Sequence, residues 1–265
     1  MAVTDKKIRQ KKIVRFFMPF FCFFSLSVLA PGASIAAPVG NPAGPVLLEG
    51  NYPTKFSLET DVVLKRKLKT KSSGSATFHG RFYMGKASLY TGNKVDIYGL
   101  VGLGEGKVKN FINDSYIIDS KSDIAYGAGV SYVLHELECM SGLLRLGADA
   151  KFRQFRPNIS TVTRYREQVA VTNDSLTFTE WQVALGLAYQ YKKFIPYLGT
   201  KYSGMRARIK FTQGSTSVSD NDVEASNAWG LFYGMDVLLS DNMSFNIEAR
   251  SFDESAISTS LNFRF

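Results

Sequence analysis

From residue 55 to the end of the chain, apolar and polar residues alternate in runs separated by turn signals. This pattern predicts ten strands of an all-β fold, a transmembrane antiparallel β-barrel, with eight or twelve strands as the alternatives. The mean hydropathy is near zero, as expected when strands alternate lipid-facing and lumen-facing residues. The predicted strands cover residues 55–66, 76–90, 94–108, 122–135, 143–156, 176–191, 194–210, 225–240, 243–252 and 256–265.

The fifth predicted strand shows the two faces most clearly. Leu144, Leu146 and Phe152 share one parity, whereas Arg145 and Asp149 share the other. Aromatic residues end the apolar stripes of other strands, as in the girdles of membrane barrels. A secreted soluble β-sandwich or a lipocalin-like barrel would alternate too, and these remain the alternatives.

The connections between the predicted strands alternate in length. Long polar ones lie near 67–75, 109–121, 157–175 and 211–224, and shorter ones near 91–93, 136–142, 192–193 and 241–242. Short periplasmic turns and long external loops are the rule in outer-membrane barrels, so with ten strands both chain ends fall in the periplasm.

The amino-terminal region predicts a secretory signal peptide over residues 1–36. Basic residues precede an apolar run from Phe16 to Ala30, and small residues lead to a cleavage site after Ala36. An uncleaved anchor is the alternative. Residues 37–54, rich in Pro and Gly, are predicted to form an extended lead-in to the barrel domain, residues 55–265.

Charge and cysteine content narrow the function further. The net charge of +9 falls to about +4 without residues 1–36. We find no cluster of Lys and Arg interleaved with aromatics of the kind that a groove for single-stranded nucleic acid needs, so no nucleic-acid partner is expected. Cys139 is the single thiol of the mature chain, either free or in a disulfide with another chain. Five other basic residues are interpreted as loop or rim charges: Arg164, Arg166, Arg206, Arg208 and Lys210.

The inward parity places charges of both signs in the lumen. They can line a narrow pore, or they can form ion pairs that plug it. Arg145, Lys151 and Arg153 are predicted to form a cationic stripe that faces acidic neighbours. The candidate lumen-lining residues are Glu59, Asp61, Asp96, Arg145, Asp149, Lys151, Arg153, Glu180, Asp236, Glu248, Arg250 and Arg264.

No residue pattern indicates an enzyme, a cofactor or a metal. His79 and His135 are the two histidines, and neither belongs to an Asp-x-His pair. The cluster of His135, Glu136, Glu138 and Cys139 has no firm zinc-site spacing. We therefore predict a protein that is not an enzyme.

Three segments resemble a known family. They are PVGNPAGPVLLEG after the predicted cleavage site, TEWQVALGLAYQYKKFIPYLGTKYS in the centre and EARSFDESAISTSLNFRF at the end. In collinear order from residue 38 to 265 they resemble the chlamydial major outer membrane porins, of which this chain would be a short, cysteine-poor member. The shortage of cysteines puts disulfide cross-linking of the envelope in doubt.

The resemblance implies a barrel in the outer membrane of a Gram-negative-type bacterium, surrounded by its lipid. Its implied function is passive diffusion of small hydrophilic solutes, with a structural role in the envelope and a homotrimeric state. The terminal strand with Phe263 and Phe265 resembles the signal read by the barrel assembly machinery. The alternative function is a closed barrel that acts as an adhesin or envelope scaffold, with residues 157–175 as its candidate surface.

Overall fold

A computed structural model describes residues 37–42, 53–70, 74–91, 94–111, 116–139 and 141–265. The predicted signal peptide and most of the lead-in lie outside these residues. No helix in the described part of the chain is long and apolar enough to cross a membrane. The strands are β1 (Thr54–Lys69), β2 (Ser75–Tyr90), β3 (Val95–Phe111), β4 (Tyr116–Ser120), β5 (Asp123–Cys139), β6 (Gly142–Phe155), β7 (Ile159–Arg164), β8 (Glu167–Val169), β9 (Thr172–Gln190), β10 (Phe194–Gln213), β11 (Thr216–Ala225), β12 (Trp229–Ser240), β13 (Met243–Ser251) and β14 (Ser255–Arg264).

Ten of these strands form a closed antiparallel ring in the order β1, β2, β3, β5, β6, β9, β10, β12, β13 and β14. The ring closes because β14 pairs with β1, from Lys55 opposite Arg264 to Lys65 opposite Ser255. Closure leaves no unpaired edge in the wall. The predicted ten-stranded barrel is therefore confirmed, and the alternatives of eight or twelve strands are wrong.

The other four strands extend the wall at one end of the barrel. β4 pairs with β3 and β7, β7 forms a hairpin with β8, and β11 joins β10 to β1. We call this the long-loop end, and the opposite end, with the β2–β3, β5–β6, β9–β10 and β12–β13 connections, the short-turn end. Three of the predicted long polar loops thus contain strands, because inner positions such as Ile118, Val162 and Val223 are apolar and fully buried.

Large apolar side chains form a band on the outer surface of the ring. Val101 is 61% exposed, and the outer faces of the neighbouring strands are similarly apolar and exposed. So large an apolar surface is unusual in a water-soluble monomer and typical of a lipid-facing wall. A row of aromatic rings borders the band toward the long-loop end, with Trp181, Tyr202 and Trp229 in successive contact at 5.6 and 5.1 Å between ring centroids.

Candidate functional site: the barrel lumen

The interior of the ring is the candidate site. Glu59 is half-buried, and its carboxylate lies 3.6 Å from the Lys86 ammonium group. The structure buries the other eleven predicted lumen residues: Asp61, Asp96, Arg145, Asp149, Lys151, Arg153, Glu180, Asp236, Glu248, Arg250 and Arg264.

A central group of ion pairs joins opposite sides of the ring. The Arg153 guanidinium on β6 lies 3.2 Å from Asp61 on β1 and 2.8 Å from Glu180 on β9. Arg66 on β1 reaches the same Glu180 carboxylate at 3.4 Å. Because β1 and β9 are five strands apart in either direction around the ring, these side chains bridge its full width.

A second group lies beside the first, where the β13–β14 turn folds into the lumen. Asp253 and Glu254 in this turn are fully buried. Lys201 on β10 lies 3.0 Å from Asp253 and also pairs with Glu254. Arg250 lies 2.6 Å from Glu254 and also pairs with Asp61, which links the two groups.

Sequence reasoning missed four members of these groups. Arg66 was not predicted because the register of β1 shifts between Val63 and Lys65, so Arg66 faces the lumen with the opposite parity to Asp61. Asp253 and Glu254 were not predicted because acidic residues in a turn are ordinarily solvated. Lys201 follows the inward parity of β10, so the alternation of that strand could have identified it as a lumen residue.

Residues 37–42 also lie inside the ring. The backbone amides of Val39 and Gly40 donate to the two carboxylate oxygens of Glu248 at 3.0 and 2.8 Å. The Asn41 side-chain amide donates to Asp236 at 2.8 Å, and the Lys151 ammonium donates to the Pro38 carbonyl. Gly40 has a φ of +68°, a left-handed conformation that favours glycine.

The three residues of the predicted cationic stripe each meet an acceptor. Arg145 lies 3.5 Å from Glu136 and 3.4 Å from the Gln190 side-chain oxygen. Lys151 and Arg153 have the partners given above. Arg145 and Arg153 therefore face acidic neighbours, as expected, whereas Lys151 donates to a backbone carbonyl. The three side chains do not form an open cationic lining.

Little space remains in the polar part of the lumen. A cavity of about 40 Å³ lies beside the lead-in, among Asn41, Lys55, Lys86 and Asp96. Such a volume holds roughly three water molecules. The polar part is thus filled mainly by side chains and by residues 37–42.

An apolar layer fills the lumen toward the long-loop end. Phe78 on β2 and Phe178 on β9 meet across the ring with their ring centroids 4.7 Å apart, and Phe155 stacks on Phe178 at 5.8 Å. The Arg153 guanidinium lies over the Phe82 ring, 3.8 Å from the ring centroid. Phe82 therefore connects the apolar layer to the ion pairs. A β-carbon at Gly104 would lie 2.6 Å from the Phe82 ring, so glycine there makes room for the aromatic side chain.

The remaining sequence-predicted residues lie outside the lumen. Phe265 is 67% exposed, and its backbone amide donates to the Thr54 carbonyl across the closing strand pair. Cys139 is a free, half-buried thiol at the end of β5. His79 lies on the outer face of β2, and Tyr165 is exposed at the tip of the β7–β8 hairpin with a φ of 50°.

Comparison with solved structures agrees with the closed ring. The translocator domain of the autotransporter NalP from Neisseria meningitidis matches 83% of this chain and 91% of its own, with 11% identity and a TM-score of 0.50. The fold of the present chain is that of an outer-membrane β-barrel. The outer membrane protease OmpT from Escherichia coli matches 82% of this chain and 99% of its own, with 9% identity and a TM-score of 0.47.

The beta domain of the Bordetella autotransporter BrkA also matches, over 81% of this chain and all of its own, with 9% identity and a TM-score of 0.47. No protein-family model matches the sequence, and no curated protein does. At these identities the likeness describes the fold alone.

Proposed function

We propose that the protein spans the outer membrane as a porin-like barrel that is closed at rest and has a structural role in the envelope. Small hydrophilic solutes then pass only when the contents of the lumen move. The observation that carries this proposal is the contact between opposite walls, made once by Arg66 and Glu180 and again by Phe78 and Phe178.

A filled lumen is expected for a ring of ten strands. Barrels of about eight strands are filled by their own side chains, whereas those with 16 or more leave a channel. With ten strands, one charged or aromatic side chain from each wall is long enough to meet its counterpart. Buried charges are tolerated because they are paired, as the contacts of Arg153 and Arg250 show.

Conditional passage of solutes is supported by the polar half of the lumen. Its lining is hydrophilic, and residues 37–42 are not part of the wall, so they can leave without breaking a strand pair. The Glu248 and Asp236 carboxylates hold this segment through charge-assisted hydrogen bonds. The apolar layer is a second barrier that must also open.

Single-channel recording in planar bilayers tests the proposal. We expect no steady conductance steps from the mature chain. Deleting residues 37–42 together with Phe178→Ser should produce steady steps, because both barriers are then weakened. The control variant, Arg206→Gln with Glu224→Gln, removes an exposed ion pair outside the lumen. It should leave the recording silent.

Two outcomes would contradict this function. Steady conductance from the unmodified mature chain would show a constitutive porin. Silence from the combined lumen variant, once its folding is verified, would contradict passage of solutes on removal of these two barriers and would favour the envelope scaffold as the function.

The assembly state is part of the same proposal. A homotrimer and contact with the barrel assembly machinery through Phe263 and Phe265 extend the family resemblance, and a disulfide through Cys139 would join two chains. Cross-linking in membranes tests the trimer, and a non-reducing gel with Cys139→Ser as the control tests the disulfide.

A further inference from the structure

A group of basic side chains lies on the outer face of β1, β2 and β3, between the lipid-facing band and the long-loop end. Lys65 and Lys67 belong to β1, His79 to β2, and Lys107 and Lys109 to β3. We call these five residues the basic outer surface. None of them was included in the predicted lumen or loop sites.

The strand register brings these residues together. Lys67 and Lys109 both lie opposite Thr77, one on each side, and His79 lies opposite Lys107. Adjacent strands are about 4.8 Å apart, so the backbones of Lys67 and Lys109 are about 10 Å apart. Lysine side chains on both sides are long enough to contact one ligand bound over Thr77.

Along the barrel axis, the basic outer surface lies at the external interface between the membrane and water. Leu64 and Lys65 are both exposed at the irregularity in β1, so the last apolar residue of the band is followed at once by a lysine. On β2 the band ends at Tyr83, and on β3 it ends at Leu103. Aromatic residues at this level mark the lipid headgroup region.

The basic outer surface has a surplus of positive charge. Lys107 pairs with Asp119 at 2.9 Å, and the neighbouring Arg81 pairs with Glu105 at 3.5 Å. Within the described chain, Lys65, Lys67 and Lys109 have no ion-pair partner.

The geometry points to a binding site for the phosphate groups of an anionic lipid in the outer leaflet. On β1 the site is continuous with the lipid-facing band, because Lys65 follows Leu64 directly, whereas on β3 Glu105 lies between Leu103 and Lys107. A lipid whose acyl chains lie against Leu64 therefore places its headgroup among these lysines. Basic residues near a membrane interface attract anionic headgroups, and the attraction weakens with salt. A free anion would lack the apolar contact.

Native mass spectrometry of the mature chain in detergent tests this site, with phosphatidic acid as the probe and phosphatidylcholine as the neutral comparison. The test variant is Lys67→Gln with Lys109→Gln. Its matched control is Lys192→Gln with Lys193→Gln, which removes the same charge from the β9–β10 turn at the other end of the barrel. Gel mobility of the folded barrel verifies that both variants fold.

We expect phosphatidic acid to bind in preference to phosphatidylcholine. The test variant should bind it about 30-fold more weakly, from the usual contribution of two interfacial lysines. The control variant should bind it as the unmodified chain does. Equal affinity of the test variant and the unmodified chain would overturn the assignment.

Inorganic phosphate, added as a competitor, distinguishes the two sources of the same anionic group. Failure of inorganic phosphate to displace phosphatidic acid supports a lipid site. Displacement by inorganic phosphate at equal concentration would mean that the lysines bind a free anion, and the lipid assignment would be wrong. Neither result depends on whether the lumen conducts.

Discussion

Lys201 provides the sharpest test of the filled lumen. Its side chain is fully buried, as are both of its partners, Asp253 and Glu254. Lys201→Met keeps the length of the side chain and removes its charge, so two buried carboxylates lose a cation. Removing one partner of a buried ion pair costs about 3–5 kcal/mol of folding free energy.

The neighbours of Lys201 place the expected loss near the lower end of that range. Glu254 keeps Arg250 at 2.6 Å, and Asp253 keeps a hydrogen bond from the Ser203 hydroxyl at 2.8 Å. We therefore expect a loss of about 3 kcal/mol. Adding Asp253→Asn to Lys201→Met should restore part of the stability, because the surplus negative charge is then removed while Glu254 keeps Arg250.

Arg206→Met is the matched control, because Arg206 and Glu224 form an ion pair on the outer surface with both side chains about half exposed. Such pairs contribute about 1 kcal/mol or less. Urea unfolding of the barrel in neutral lipid vesicles, followed by the fluorescence of Trp181 and Trp229, measures both variants. Equal losses for Lys201→Met and Arg206→Met would refute the reasoning, because the lumen charges would then be hydrated like surface charges.

A further prediction concerns the lead-in. In a Cys139→Ser background, the thiol of Val39→Cys should react slowly with a polar maleimide, because Val39 is buried. Adding Glu248→Gln should speed the reaction, because Glu248 accepts the backbone hydrogen bonds of this segment. Equal rates would show that Glu248 does not hold the segment.

The positions and faces of the wall strands were predictable from the sequence. In β14 the alternation places Ile257 outward and Arg264 inward, and the structure exposes the first and buries the second. Period-two alternation is reliable here because every residue of a barrel wall faces either the lipid or the lumen. The predicted strand from 225 to 240 was too long, since β12 begins at Trp229 and Ala225 belongs to β11.

The contents of the lumen were less predictable, because they depend on events that a period-two pattern does not record. A register shift in β1 turns Arg66 inward, and the β13–β14 turn folds Asp253 into the lumen. The placement of residues 37–42 depends on pairing between their backbone amides and distant carboxylates such as Glu248, more than 200 residues away in sequence. Backbone groups have no signature in the sequence that identifies such partners.

The lumen contains two barriers in series, and their order determines how a channel through it would respond to mutation. Under the proposed function, solutes entering from the short-turn end would meet the lead-in and the ion pairs, which are polar and can be replaced by water. They then meet the layer around Phe78 and Phe178, where a hydrated ion would lose its water without gaining a polar contact. Deleting residues 37–42 alone should therefore leave conductance low, and Phe178→Ser alone should do the same. Conductance that rises steeply only when both changes are combined would show that each barrier is sufficient to close the barrel, whereas a rise from Phe178→Ser alone would show that the lead-in does not block solutes by itself.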